Sequence, residues 1–160
     1  MAVDAFLYLD GIAGESTKTG QEKWIEIHSF SWGANNPSSG GAGSGHGTGK
    51  VDVSSLSLQK QLDVASPLLF KACCTGSHIK TGTMVVREAT GKQEVYYQYD
   101  LKVVYVDSVS WGGASGGGKP SESLSISSQQ ITMTYWPQDA TGKLGSKVVF
   151  GWDISKAASI

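Results

Sequence analysis

From Val95 to Trp111 one apolar phase runs almost unbroken. Val95, Tyr97, Tyr99, Leu101, Val103, Tyr105, Val109 and Trp111 fall on one side of an extended chain, and Asp107 alone interrupts them. Alternation of this kind marks a β-strand with one buried face. At about 3.3 Å per residue the segment spans on the order of 55 Å, and a strand of that length twists too far to stay flat. It must bend or break, so the sheet that holds it must curve.

Two other segments show how the bending is achieved. In Lys50 to Leu62, Val51 and Val53 share one phase while Leu56, Leu58 and Leu62 share the other, with the slip at Ser54-Ser55. In Glu122 to Trp136, Leu124 and Ile126 give way to Ile131, Met133 and Tyr135, with the slip near Ser128-Gln129. One inserted residue that swaps the faces of a strand is a β-bulge, and bulges curl sheets toward closure. Further strands are expected at Val3 to Leu9, with both faces against protein, and at Lys80 to Glu88 and Ser146 to Ile154. Another is Trp24 to Trp32, with Ile25, Ile27, Ser29 and Ser31 on one side and Trp24, His28, Phe30 and Trp32 on the other. Only Ser66 to Gly76 reads as helix: Ser66-Pro67 offers an N-cap and first-turn proline, Leu68, Leu69, Ala72 and Cys73 form a stripe, and Gly76 suits the left-handed end. The expected fold is mainly β: one domain over residues 1–160, a curved two-sheet β-barrel or sandwich with one short α-helix packed at its side.

The loop from Gly33 to Lys50 tempts a phosphate-binding reading and then refuses it. A Walker-type loop needs Gly, four residues, then Gly-Lys-Ser/Thr. Counting back from Gly49-Lys50 puts Ser44 where the first glycine belongs, and Val51 follows the lysine. The dinucleotide pattern fails in every register as well, and the residues after the loop alternate like a strand instead of opening a helix. Charged residues make up 17% of the chain and the net charge is −1, so there is no basic field for nucleic acid or an anionic membrane. A weakly charged surface leaves room for self-association. The first residues lack a basic and then apolar leader, and no apolar run reaches the roughly 18 residues of a membrane span, so cytoplasmic synthesis without a cleaved signal peptide is expected.

The reagents of catalysis are sparse. His28, His46 and His78 belong to no metal-ligand spacing, and Cys73-Cys74 are adjacent, which suits neither a disulfide framework nor a Cys-x-x-Cys site. A Cys74/His78 pair would align only if the helix ran through Gly76, its expected stop. Gly43-Ser44-Gly45 lies inside the loop, not at a strand-to-helix elbow, and the acidic residues are scattered. These observations point to a protein that is not an enzyme and needs no cofactor. Two readings fit the five tryptophans: core and subunit-contact aromatics, or a platform that stacks sugars in a monomeric β-sandwich carbohydrate-binding module.

Met1-Ala-Val-Asp-Ala-Phe, Gly14-Glu15-Ser16, and Ser29-Phe30-Ser31-Trp32-Gly33 leading through the Gly-rich loop into Gly49-Lys50-Val51 carry a family pattern. Ser66-Pro67, Tyr135-Trp136-Pro137 and Gly151-Trp152-Asp153-Ile154 extend it along the whole chain. The sequence resembles the Hcp (haemolysin-coregulated) proteins of the bacterial type VI secretion system. The resemblance implies a homo-hexameric ring, stacked with further copies of itself into a tube inside a sheath, capped by a spike protein and secreted during bacterial competition and virulence. It also implies that small effectors ride in the lumen, and, with the chain ending six residues after Ile154, that no toxin domain is appended. On this reading Gly40, Gly41, Gly43, Gly45, His46, Gly47 and Gly49 belong to a ring-stacking loop. Ser29 and Ser31 are either lumen-wall and effector contacts or simply the solvent side of a strand.

Overall fold

The computed structural model describes residues 2–37 and 50–160, and there the alternating segments fold as strands. In chain order they are β1 (Val3–Leu9), β2 (Ile25–Ile27), β3 (Ser29–Ser31), β4 (Ala34–Asn35), β5 (Asp52–Val53) and β6 (Leu56–Gln61). After α1 (Ser66–Thr75) come β7 (Ile79–Glu88), β8 (Val95–Gly112), β9 (Ser121–Tyr135), β10 (Val148–Asp153) and β11 (Ala158–Ser159). All ladders are antiparallel, in the order β11-β10-β9-β8-β7-β1-β2, and β6 joins β3 to β9. β4 and β5 form a separate hairpin. The path from β9 round to β2 and back through β3 and β6 is completed by a covalent link, the single residue His28, and not by a ladder. The expected mainly-β, curved two-sheet barrel or sandwich with one short helix is therefore found, with strands wrapped round a core of Leu7, Leu9, Ile25, Leu58, Leu69, Met84, Val104, Leu124 and Ile126.

The long alternating segment stays one strand and bends. Its phase changes twice, not once: Tyr99 and Leu101 are buried, then Val104 and Val106, then the half-buried Val109 returns to the first phase. The first change falls at Val103, whose φ of 55° is a left-handed conformation that a β-branched residue rarely takes. The second is a bulge between Val106 and Ser108 that leaves Asp107 unpaired. Asp107 accepts hydrogen bonds from Ser55 Oγ at 2.8 Å and Ser127 Oγ at 2.9 Å. Ser55 lies in the break between β5 and β6, where the first phase slip is expected, and Ser127 adjoins the second. The three irregularities thus meet at one corner. β9 itself is unbroken there, but it changes second partner, from β6 at Ser121 to Ile126 to β10 from Gln130 onward.

Three local expectations need correction. Trp24 to Trp32 is not one strand with constant faces. It bends at His28, so Ile25 and Ile27 point into the core while Ser29 and Ser31 lie opposite the half-buried Phe30 and Trp32. The helix is capped by Ala65 with no side-chain bond, not by Ser66. Ser66 is buried in the first turn, its Oγ accepting from the Asp63 N–H at 3.0 Å, while Asp63 Oδ1 accepts from the Ala65 N–H at 3.0 Å. Gly76 does end the helix, at φ 66°. In β1 only part of the second face is covered: Phe6 is buried under the Arg87 guanidinium, 5.0 Å from its ring, whereas Tyr8 is exposed beside Trp24.

Where β6 meets β9, Lys60 stands directly opposite Glu122, and both side chains are fully buried. They form an ion pair. Lys60 Nζ also donates to Asp63 Oδ1 at 2.9 Å, Gln61 O at 3.0 Å and Ser66 Oγ at 3.3 Å, and the Trp111 indole N–H donates to the other Glu122 oxygen. Breaking such a pair leaves an uncompensated buried charge and costs about 3–5 kcal/mol, while replacing both partners with apolar groups is close to neutral. Urea unfolding at fixed chain concentration is expected to show Lys60→Met and Glu122→Leu each destabilising by about that amount, and the double variant recovering most of the loss.

Candidate functional site

Alternation on β3, β6 and β9 sends one set of side chains to the core and the other outward. Leu56, Leu58 and Lys60 go in, and Ser57, Gln59 and Gln61 come out; Glu122, Leu124 and Ile126 are buried, leaving Ser123 and Ser125 half-exposed. The ladders line these outward residues into rows. Ser31 lies beside Ser57, Ser125 and Ser108, and Ser29 beside Gln59, Ser123 and Ser110. With strands about 4.8 Å apart, each row crosses roughly 14 Å of sheet. Ser123 Oγ donates to Gln59 Oε1 at 2.9 Å. Every side chain in the two rows is an uncharged hydroxyl or amide, so the rows donate and accept hydrogen bonds without a charge of their own; charges stand at their margins, with Asp107 on Ser55 and Ser127 at one end and Glu15, Glu26 and Lys119 near Gln61 at the other.

Ser29 and Ser31 are the outer column of this face. The other members were not identified from sequence, although the Ser-x-Ser alternation at Ser108/Ser110 and Ser123/Ser125 is visible there; what joins them is inter-strand register. The expected stacking-loop residues Gly40, Gly41, Gly43, Gly45, His46, Gly47 and Gly49 lie outside the described residues. Their flanks, Ala34–Asn35 and Asp52–Val53, pair as the β4–β5 hairpin.

That hairpin forms one wall of an apolar groove of about 310 Å³, with Trp32 and Val53 on one side and Ile131, Met133, Phe150 and Trp152 on the other. β9 and β10 turn their core-side residues toward it. Deeper in, Tyr99 is buried beneath Phe30 and Trp32, and burial, followed by the hydrogen bond with Tyr97, pushes its phenol well above the ordinary value. The far end of β10 is tied down by Asp153, which accepts from Ser155 Oγ at 2.6 Å, Lys156 N–H at 2.9 Å and Gln130 Nε2 at 2.9 Å.

Neither surface carries a reactive constellation. Among the described residues no group of three or more His, Cys, Asp and Glu can hold a metal. The Cys73 thiol faces the Asp107 carbonyl at 4.0 Å, and the His78 ring lies against Tyr105 at 6.3 Å. Four of the five tryptophans pack singly against another aromatic: Trp24 on Tyr8, Trp32 on Tyr99, Trp111 on Phe70 and Trp152 on Phe150. No helix of the described residues is long and apolar enough to cross a membrane.

Residues 6–135 match the family model described as "Type VI secretion system effector, Hcp". The chain belongs to the Hcp family. It is 37% identical over 156 residues to Protein hcp1 of Pseudomonas aeruginosa, covering 96% of each chain. Among solved structures, one described as that of a type six secretion system protein superposes with a TM-score of 0.94 at 33% identity, covering 99% of this chain and 100% of that one. Hcp1 from Salmonella typhimurium superposes at 0.82 with 32% identity and full coverage of both. Hcp proteins are secreted proteins of the type VI system and not an enzyme family, so the chain is a type VI secretion protein.

The Asp153 contacts generate a pH dependence. Led by the Ser155 hydroxyl, they hold its carboxyl below the ordinary value. A lowered folded-state value stabilises the fold at pH above the ordinary carboxylate range, and the stabilisation is lost as pH falls through the lowered value. Amide protection factors at the β10–β11 turn, corrected for the intrinsic exchange rate at each pH, are expected to fall over that acid window, and Asp153→Asn is expected to flatten the response.

Proposed function

We propose that this Hcp protein is the tube subunit of a type VI secretion system, assembling as hexameric rings that stack into an exported tube whose lumen carries small effectors. The observation that carries this reading is the uncharged face shared by β3, β6, β9 and β8. A lumen wall that must let cargo of either charge rest and then leave needs many weak hydrogen-bonding groups and no strong field, and serine and glutamine rows supply both. Low net charge favours close packing of identical copies. The packing of four of the five indoles against a neighbouring ring favours the tube over the carbohydrate-binding alternative, which needs coplanar exposed indoles. Synthesis in the cytoplasm and export without a cleaved leader, with spike and sheath as partners, belong to the same reading.

Size-exclusion chromatography with light scattering is expected to give a mass near six times the 16.9 kDa chain, and negative-stain images to show rings; a monomer at every concentration would exclude them. Ser31→Lys and Ser57→Lys are expected to leave ring mass unchanged while lowering effector co-purification at least about fivefold, as for the loss of ~1 kcal/mol. Unchanged recovery would remove this face from the lumen. Deleting residues 38–48 is expected to preserve the ring and abolish stacking and secretion; normal secretion would make the loop dispensable.

A further inference from the structure

The sheet leaves one stretch of its own core face uncovered. On β10, Trp152 is half-buried, but Val148 and Phe150, on the same side of the strand, are 69% and 62% exposed, and Tyr135, paired with Val148, is 47% exposed. The backbone there is open too. β11 pairs only with Trp152 and Asp153, so among the described residues the outer edge of Val148–Phe150 has no ladder, and no charge or proline within Val148–Phe150 guards it. Natural sheets protect such edges or cover them.

A second apolar surface lies elsewhere on the molecule. Phe70 is 53% exposed and meets the 41% exposed Trp111 edge-on at 5.6 Å, while Leu68, on the other side of the buried Leu69, faces away from this pair. This surface projects from α1, whereas the β10 surface is a groove. The two stand near opposite ends of the β8–β9 ladder: Met133, the partner of Phe150, pairs with Tyr99, and Trp111 lies twelve residues further along β8. That is roughly 40 Å of strand. A copy therefore cannot fill its own groove.

We propose that Phe70 of one copy, with Trp111 beside it, seats in the groove formed by Phe150, Trp152, Met133 and Trp32 of the next copy. The sizes agree: an apolar cavity of about 150 Å³ already holds a benzene ring, and this one, at about 310 Å³, has room for the Phe70 benzyl group. The areas agree as well. At about 150–250 Å² for a whole aromatic side chain, the exposed fractions amount to on the order of 300 Å² on the groove side and 200 Å² for Phe70 with Trp111. Together they make the apolar centre of a standard interface of about 1,600 Å², leaving a polar rim to supply the remainder. The contact joins unlike surfaces, so it is heterologous, and such contacts build a ring where the rotation between copies closes. It rests on the ring reading and names the surfaces that build the ring.

Phe70→Asp and Phe150→Asp, with Phe70→Ser and Phe150→Ser as milder replacements, test it by light scattering at one fixed chain concentration, with circular dichroism melts to confirm folding. Each substitution removes an aromatic anchor from every contact and is expected to weaken it at least about thirtyfold, reducing the oligomer to monomer. Mixing Phe70→Asp with Phe150→Asp is expected to yield a 1:1 dimer, because the intact groove of the first accepts the intact helix of the second and no further contact follows. An oligomer that survives either substitution overturns the proposal, as does a mixture that stays monomeric. A monomeric parent protein instead removes the ring reading itself.

Discussion

The ion pair between Lys60 and Glu122 fixes more of this molecule than any other contact. Two opposite charges at directly paired positions, both removed from water, tolerate no shift of β6 against β9. Each end of the pair is satisfied by a different element. Lys60 reaches Asp63 and Ser66, which shape the start of α1, and Glu122 holds the Trp111 indole near the end of β8. Sheet register, helix position and strand end are set by one buried network.

The uncharged face follows from that register. Because Lys60 and Glu122 point inward, Gln59 and Ser123 must point outward and stand beside each other, and the rows reaching Ser29, Ser31, Ser108 and Ser110 align in turn. A slip by one residue would put leucines on the surface and serines in the core. The groove at the other end has a different origin. There β10 extends the sheet past the elements that cover it, so residues patterned for burial remain in contact with solvent.

Much of this was legible in the sequence because period-2 alternation was strong and its interruptions were informative. The slips at Ser54-Ser55 and near Ser128-Gln129 coincide with a strand break and a change of partner. Val103 was not legible: its apolar side chain fits the alternation, and only its left-handed backbone moves the burial to the next residue. Nor was the bend at His28, since a chain that changes partner without a glycine or proline leaves no turn signal. The rows of serines needed long-range pairing that no local pattern encodes, and the buried Lys60 reads as an ordinary solvent-facing charge until Glu122, 62 residues away, is brought opposite it.

His28 has a further consequence. One residue separates the ladder to β1 from the ladder to β6, and its N–H donates to Gln59 O at 2.8 Å. No slack exists between the two pairings. A misaligned β2 would drag β3 out of step with β6, so an error in either ladder forfeits the hydrogen bonds of both. The joint between the two ladders thus rejects a wrong alignment because it is too short to absorb one.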